Sequence, residues 1–155
     1  KIQYNGDSSG KVDLVFLAEG YTADEQEKFV ADAKRFTEAL FKTPPYDTRR
    51  EDFNIWAVDA VSEESGTDVS GKGIFKNTAL NSGYYTFGVD RYLTTPDMKS
   101  IRDAVWNAPC DAIFILETRT LTVVAVCIIF MPWEPPITHV PRSYSFTSSD
   151  IVSLV

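Results

Sequence analysis

Residues 1–116 predict an α/β layered domain, with a mostly buried sheet and amphipathic helices, and two observations carry that prediction. Three short runs have the β-branched and aromatic make-up of strands buried on both faces, and two helix-start signals fall between them. Alternation of buried strands with amphipathic helices is the signature of sheet and helix layers packed on one core. At 155 residues, with 44% hydrophobic and 24% charged side chains, the chain suits one globular domain large enough to bury that core.

The first run, Val12 to Ala18 (VDLVFLA), is bounded by Gly10 and Gly20 and reads as a first, central strand. Thr22 and Glu25 then form a T-x-x-E capping box, in which each side chain satisfies a backbone N–H at a helix start. Phe29, Ala33, Phe36 and Leu40 follow at intervals of four, three and four, which makes one apolar stripe. Pro44 and Pro45 end the helix, since neither can donate a hydrogen bond. Phe53 to Val61 is the second strand, and the Gly- and Ser-rich segment 62–77 is a loop. Thr95 as N-cap and Pro96 as first helical residue open a second helix, with Ile101 and Val105 facing inward. Asp111 to Leu116 (DAIFIL) is the third buried strand.

Charge narrows the partners. A net charge of -7 argues against nucleic acid and against an anionic membrane surface, because both reward clustered Lys and Arg. The most apolar stretch, Leu121 to Met131, is well short of the roughly 20 residues a membrane-spanning helix needs, so no span is expected. It reads instead as a strand prone to self-association. Lys1 to Gly6 is polar and lacks the apolar core of a signal peptide, which places the natural start upstream. Cys110 and Cys127 are read as two inert thiols.

Candidate motifs are sparse. Gly66 to Gly73 (GTDVSGKG) comes near a phosphate-binding P-loop, but Gly73 stands where a Ser or Thr would hold magnesium and no helix signal follows. His139 is the single histidine, in a proline-rich setting, and no G-x-S-x-G elbow is present. The acid pairs Glu51-Asp52 and Glu63-Glu64 lie on loops and read as solvated surface. Glu19 is the most suggestive carboxylate: it closes the first strand at its carboxyl end, where α/β sheets place their ligands. A hydrogen bond from Glu19 to a turn is the preferred reading, and the residue is retained as one that borders a cleft.

With VDLVFLAEGYT (12–22), FNIWAV (53–58), SEESGTD (62–68) and DAIFIL (111–116) in place, residues 1–116 closely resemble the IgA peptidase family of zinc metallopeptidases. The resemblance implies a secreted or surface-located bacterial endopeptidase acting on protein or peptide substrates. It also implies a Tyr-Gly-Gly-Gly-Gly stretch after the third strand and a later helix bearing H-E-x-x-H. In intact relatives two histidines of that helix bind zinc and its glutamate serves as general base for peptide hydrolysis. Residues 117–155 contain neither stretch, so no catalytic or metal-ligating residue is carried over, and zinc is expected in intact relatives but not on this chain.

The sequence from 117 onward differs in kind. Its only charged side chains are Glu117, Arg119, Glu134, Arg142 and Asp150, and it has no amphipathic period, so an irregular tail is expected. Codon arithmetic suggests why. Shifted by one base, codons permitted for Thr122 to Cys127 read Tyr-Gly-Gly-Gly-Gly-Met, and codons permitted for Phe146 to Ser153 read His-Glu-Phe-Gly-His-Ser-Phe. Both missing stretches return in order at one offset, which suggests a one-base deletion near codon 117. The expectation is therefore a truncated, inactive member of the family, with an out-of-frame segment at 117–155. The rival from another class is a non-catalytic binding module that keeps the scaffold; a nucleotide-binding domain using the 66–73 loop is a second.

Overall fold

The computed structural model describes residues 1–86, 88–89 and 93–118. Of the expected irregular tail at 117–155, Glu117 is found in a strand and Thr118 directly after it, which corrects the boundary by one residue, while residues 119–155, with the stretch from Leu121 to Met131, Cys127 and His139, lie outside the described residues. In chain order the elements are β1 (Val12–Glu19), α1 (Gln26–Leu40), β2 (Phe53–Val58), β3 (Asp68–Val69), β4 (Gly83–Tyr84), β5 (Leu93–Thr94), α2 (Met98–Val105) and β6 (Ala112–Glu117). The α/β class read from the sequence is the one observed.

β1 is central, as its apolar run from Leu14 to Ala18 requires. β2 and β6 flank it in the order β2-β1-β6, and both pair with it in parallel. Parallel strands are buried on both faces, and β1 alternates accordingly. Leu14, Phe16 and Ala18 face one side together with Phe114 and Leu116, while Val15 and Leu17 face the other with Ile113 and Ile115.

On the first side lies α1. Thr22 and Glu25 form the expected capping box, with a turn of 3-10 helix at Ala23–Glu25 leading into the α-helix. Phe29, Ala33, Phe36 and Leu40 are the buried stripe, joined by Thr37, whose hydroxyl donates to the Ala33 carbonyl at 2.8 Å. Burying a side chain such as Phe29, Phe36 or Leu40 stabilises the fold by roughly 1.5–3 kcal/mol each. Phe36 also meets Phe16 and Phe114 with ring centroids 5.3 and 6.1 Å apart, within the range of favourable aromatic pairs. The helix stops at Leu40, ahead of the two prolines, which are joined by a cis peptide bond.

The second side is covered in pieces by α2 and by a small sheet of order β3-β4-β5. Three sequence expectations are corrected here. β2 ends at Val58 rather than Val61, because its pairing with β1 ends at Leu17 and the chain then turns, with the Ala60 amide donating to the Val58 carbonyl. The 62–77 segment is not all loop, since Asp68 and Val69 pair with Gly83 and Tyr84. Finally, α2 is capped by Asp97, whose carboxylate accepts from the Ser100 amide at 2.9 Å. The Thr95 hydroxyl sits one step earlier, accepting from the Asp97 amide at 3.0 Å while it donates to the Leu80 carbonyl. Among the described residues no helix is long and apolar enough to cross a membrane.

Candidate functional site at the carboxyl end of the sheet

The carboxyl ends of β1 and β6 bring together the residues with most chemical potential. Glu19 and Glu117 are partners in the parallel register, and both fall on the side covered by the small sheet. Glu19 is 0% exposed and Glu117 is 7% exposed. A carboxylate in such a place costs several kcal/mol unless its charge is met by hydrogen bonds. Glu19 meets that requirement from one turn: Oε1 accepts from the Thr78 hydroxyl (2.7 Å), the Ser82 amide (2.9 Å) and the Ser82 hydroxyl (2.6 Å), and Oε2 from the Leu80 amide (3.0 Å). The turn expected to bond Glu19 is therefore present, although it lies about sixty positions away in sequence rather than beside it. Glu117 Oε2 accepts from the Tyr84 hydroxyl at 3.4 Å.

Gly20, directly after Glu19, shows why the chain takes this path. Its φ is +70°, and a Cβ built there would lie 2.0 Å from the Gly66 carbonyl oxygen, so no other residue fits without moving backbone. The Gly66 amide donates to the Gly20 carbonyl at 3.0 Å. The Ser62 hydroxyl oxygen accepts from the amides of Gly20 (3.1 Å) and Ala79 (3.0 Å). The SEESGTD stretch is thus a rim sewn to the end of β1. Its carboxylates are used locally: Glu64 Oε2 accepts from the Asn77 amide at 2.7 Å, and hydrogen bonds from Asn77 and Lys76 hold that carboxyl below its usual range.

On the α1 side, Tyr21 is buried with its hydroxyl 3.0 Å from Asp32 Oδ2 and 3.4 Å from the Glu117 carbonyl oxygen. Burial first, and then the negative charge of Asp32, push its proton affinity well above that of a free tyrosine, so it stays a neutral donor. Lys28 reaches across to the end of β6, donating to the Thr118 carbonyl (2.5 Å) and hydroxyl (2.6 Å) while its Nζ sits 5.1 Å from the Tyr21 ring centroid. Sequence reasoning did not anticipate Glu117, Tyr21, Lys28 or the 78–82 donors as neighbours of Glu19. The only available signal was the position of Glu19 at a strand's carboxyl end.

The remaining sequence candidates do not join the Glu19 network. Residues 66–73 do not form a phosphate cradle: Ser70–Lys72 is one 3-10 turn, Gly73 is left-handed, and Ile74 returns to bridge Val69. Asp52 pairs with Arg49 at 3.2 Å on the surface, and Glu51 and Glu63 are exposed. At the opposite end of the sheet Asp13, 2% exposed, accepts from Trp56 Nε1 (2.7 Å) and Asn54 Nδ2 (3.0 Å), which fixes β2 against β1.

Zinc ligands in proteins are thiolate, imidazole and carboxylate groups converging in threes and fours. Among the described residues no group of three or more His, Cys, Asp or Glu comes together in that way, and Glu19 has its oxygens committed to the turn.

No curated protein matches the chain. The sequence profile described as IgA Peptidase M64 matches residues 1–121, which takes in both layers, the rim at 62–68 and the paired carboxylates at the ends of β1 and β6. A match over so much of the sequence establishes the family, and the chain belongs to the IgA peptidase M64 family of metallopeptidases.

Proposed function

We propose that residues 1–116 are the amino-terminal portion of a bacterial, extracytoplasmic zinc endopeptidase domain, and that the chain as written is an out-of-frame, inactive form of it. The observation that carries the proposal is the family match to residues 1–121, which ends close to the inferred loss of one base near codon 117. Supporting it, the 155 residues contain a single histidine and so cannot spell H-E-x-x-H. The substrates are proteins or peptides, in keeping with the family. Zinc belongs to the in-frame protein; residues 1–116 supply a scaffold and a rim, with Glu19 bordering the cleft.

Two genes decide the matter: the one that encodes the chain as written, and the same gene with one base restored near codon 117. Each product is assayed for bound zinc and for hydrolysis of denatured protein. The restored product is expected to bind about one zinc per chain and to lose activity to a chelator, whereas the present chain does neither. A restored product without zinc or activity would overturn the frame-loss reading. Chelator-sensitive hydrolysis by the present chain would overturn its inactivity. If both are inert and the 117–155 segment resists proteolysis, the binding-module reading takes their place.

A further inference from the structure

The 78–82 turn offers four donors to one point, and two are backbone amides. Leu80 and Ser82 contribute their N–H groups, and the residue between them, Asn81, has a φ of +49°. A left-handed residue between two such amides rotates both toward the same side, and the result is the concavity by which backbones bind anions. The hydroxyls of Thr78 and Ser82 complete it. We infer that the 78–82 turn is an anion receptor built for a carboxylate, with Glu19 as its resident anion, and that Glu19 is through it the positioning residue for the wall over the carboxyl end of the sheet. The receptor stands on this geometry alone; only the wall's role in a cleft rests on the peptidase reading.

The turn transmits what Glu19 fixes. Asn81 Nδ2 donates to Asp97 Oδ2 at 2.9 Å, and the Leu80 carbonyl accepts from Thr95, so the start of α2 is tied to it. The Ser82 carbonyl accepts from the Thr67 hydroxyl (2.7 Å) and the Asp68 amide (3.3 Å), which ties in β3, and β4 begins at the next residue. A carboxylate has about four acceptor sites, and all four contacts here go to the turn. Glu19 is also fully buried, so its carboxylate serves the turn and is closed off from bulk water, as a positioning residue is and a general base is not.

Glu19→Ala removes the atoms of an acetate ion and leaves the receptor. The test uses the full chain as wild type, Glu19→Ala, Glu19→Gln and Ser82→Ala. Hydrogen exchange of the Leu80 and Ser82 amides is followed in sodium acetate and in sodium chloride of equal ionic strength. In Glu19→Ala both amides are expected to exchange at least about tenfold faster in chloride, the effect of losing a hydrogen bond to a charged group. Acetate should restore protection saturably, while wild type and Glu19→Gln, in which the pocket is filled, should not respond. Folding of Glu19→Ala in acetate but not in chloride would support the receptor equally well. Acetate no better than chloride, or equally effective on wild type, overturns it. Should Glu19→Ala fold in neither salt, Ser82→Ala decides, because it removes a 2.6 Å donor yet keeps the anion. Faster exchange at Leu80 supports the receptor and unchanged exchange overturns it. None of these readouts is peptide hydrolysis, so the receptor and the peptidase reading fail separately.

Discussion

The two sides of the central sheet are covered by opposite strategies. One receives a single 15-residue helix that lays Phe29, Ala33, Phe36 and Leu40 on Phe16 and Phe114. The other receives α2, three two-residue strands and a turn, which together place Leu80, Tyr84, Leu93, Ile101 and Val105 on Val15, Leu17, Ile113 and Ile115. The helix carries its own backbone hydrogen bonds and needs only an apolar stripe to dock. The patchwork is held by polar anchors at the carboxyl end of the sheet: Glu19 of β1 to the turn, and Ser62 of the rim between Gly20 and Ala79. Apolar packing thus organises one side, and hydrogen bonds from buried polar groups position the other.

Substitutions on each side can break this contrast. The largest effect is expected for Phe114→Ala, which removes a ring that meets both Phe16 and Phe36; a loss of about 3–5 kcal/mol in urea unfolding is anticipated. Leu80→Ala on the patchwork side is expected to cost about 2–3 kcal/mol, the lower part of the range for such truncations, because short segments can close around a cavity. Equal losses at the two positions would mean that the patchwork is as rigid as the helix side. Acidification gives a smaller and more local effect. The Ser100 amide and hydroxyl, followed by Asn81, hold the Asp97 carboxyl below its ordinary value of 3.8. A carboxyl whose folded value is depressed contributes its full stabilisation above 3.8 and loses it as pH falls through the lower folded value. Exchange protection at the start of α2 should therefore fall below pH 3.8 in wild type and be insensitive to that step in Asp97→Asn. Smallest of all is a change in reactivity without loss of fold. Cys110 is exposed between α2 and β6, yet partial desolvation by its neighbours, and then the charges of Asp111 and Asp13, push its thiol up to about 11. Its alkylation should be slow at neutral pH and accelerate toward pH 11; fast alkylation at pH 7 would contradict that environment.

The helix side was legible because it is periodic. Intervals of four, three and four, a capping box and two prolines each carry a local meaning, and α1 sits where those signals place it. β1, β2 and β6 were legible as apolar runs, to within three residues at their ends. The patchwork was not, for a physical reason: a two-residue strand has no period to detect. The contacts that create β3, β4 and β5 come from residues far apart in the chain. The Asp97 cap was missed because Thr95 and Pro96 form a strong local signal; the Thr95 hydroxyl does accept from the Asp97 amide, but the helix itself begins only at Met98, where the Asp97 carboxylate accepts from Ser100. Glu19 was marked by its place at the end of a strand, but its four donors lie at positions that loop composition does not distinguish.

The grip of Lys28 on Thr118 has a further consequence. The carbonyl and hydroxyl of Thr118, directly after β6, are both held by an ammonium group on α1, so the helix fixes the carboxyl end of that strand. Two products of one gene that differ from codon 117 onward share residues 1–116, so an antibody raised against that part would not tell them apart, while the hold of Lys28 on Thr118 is a feature of the chain as written.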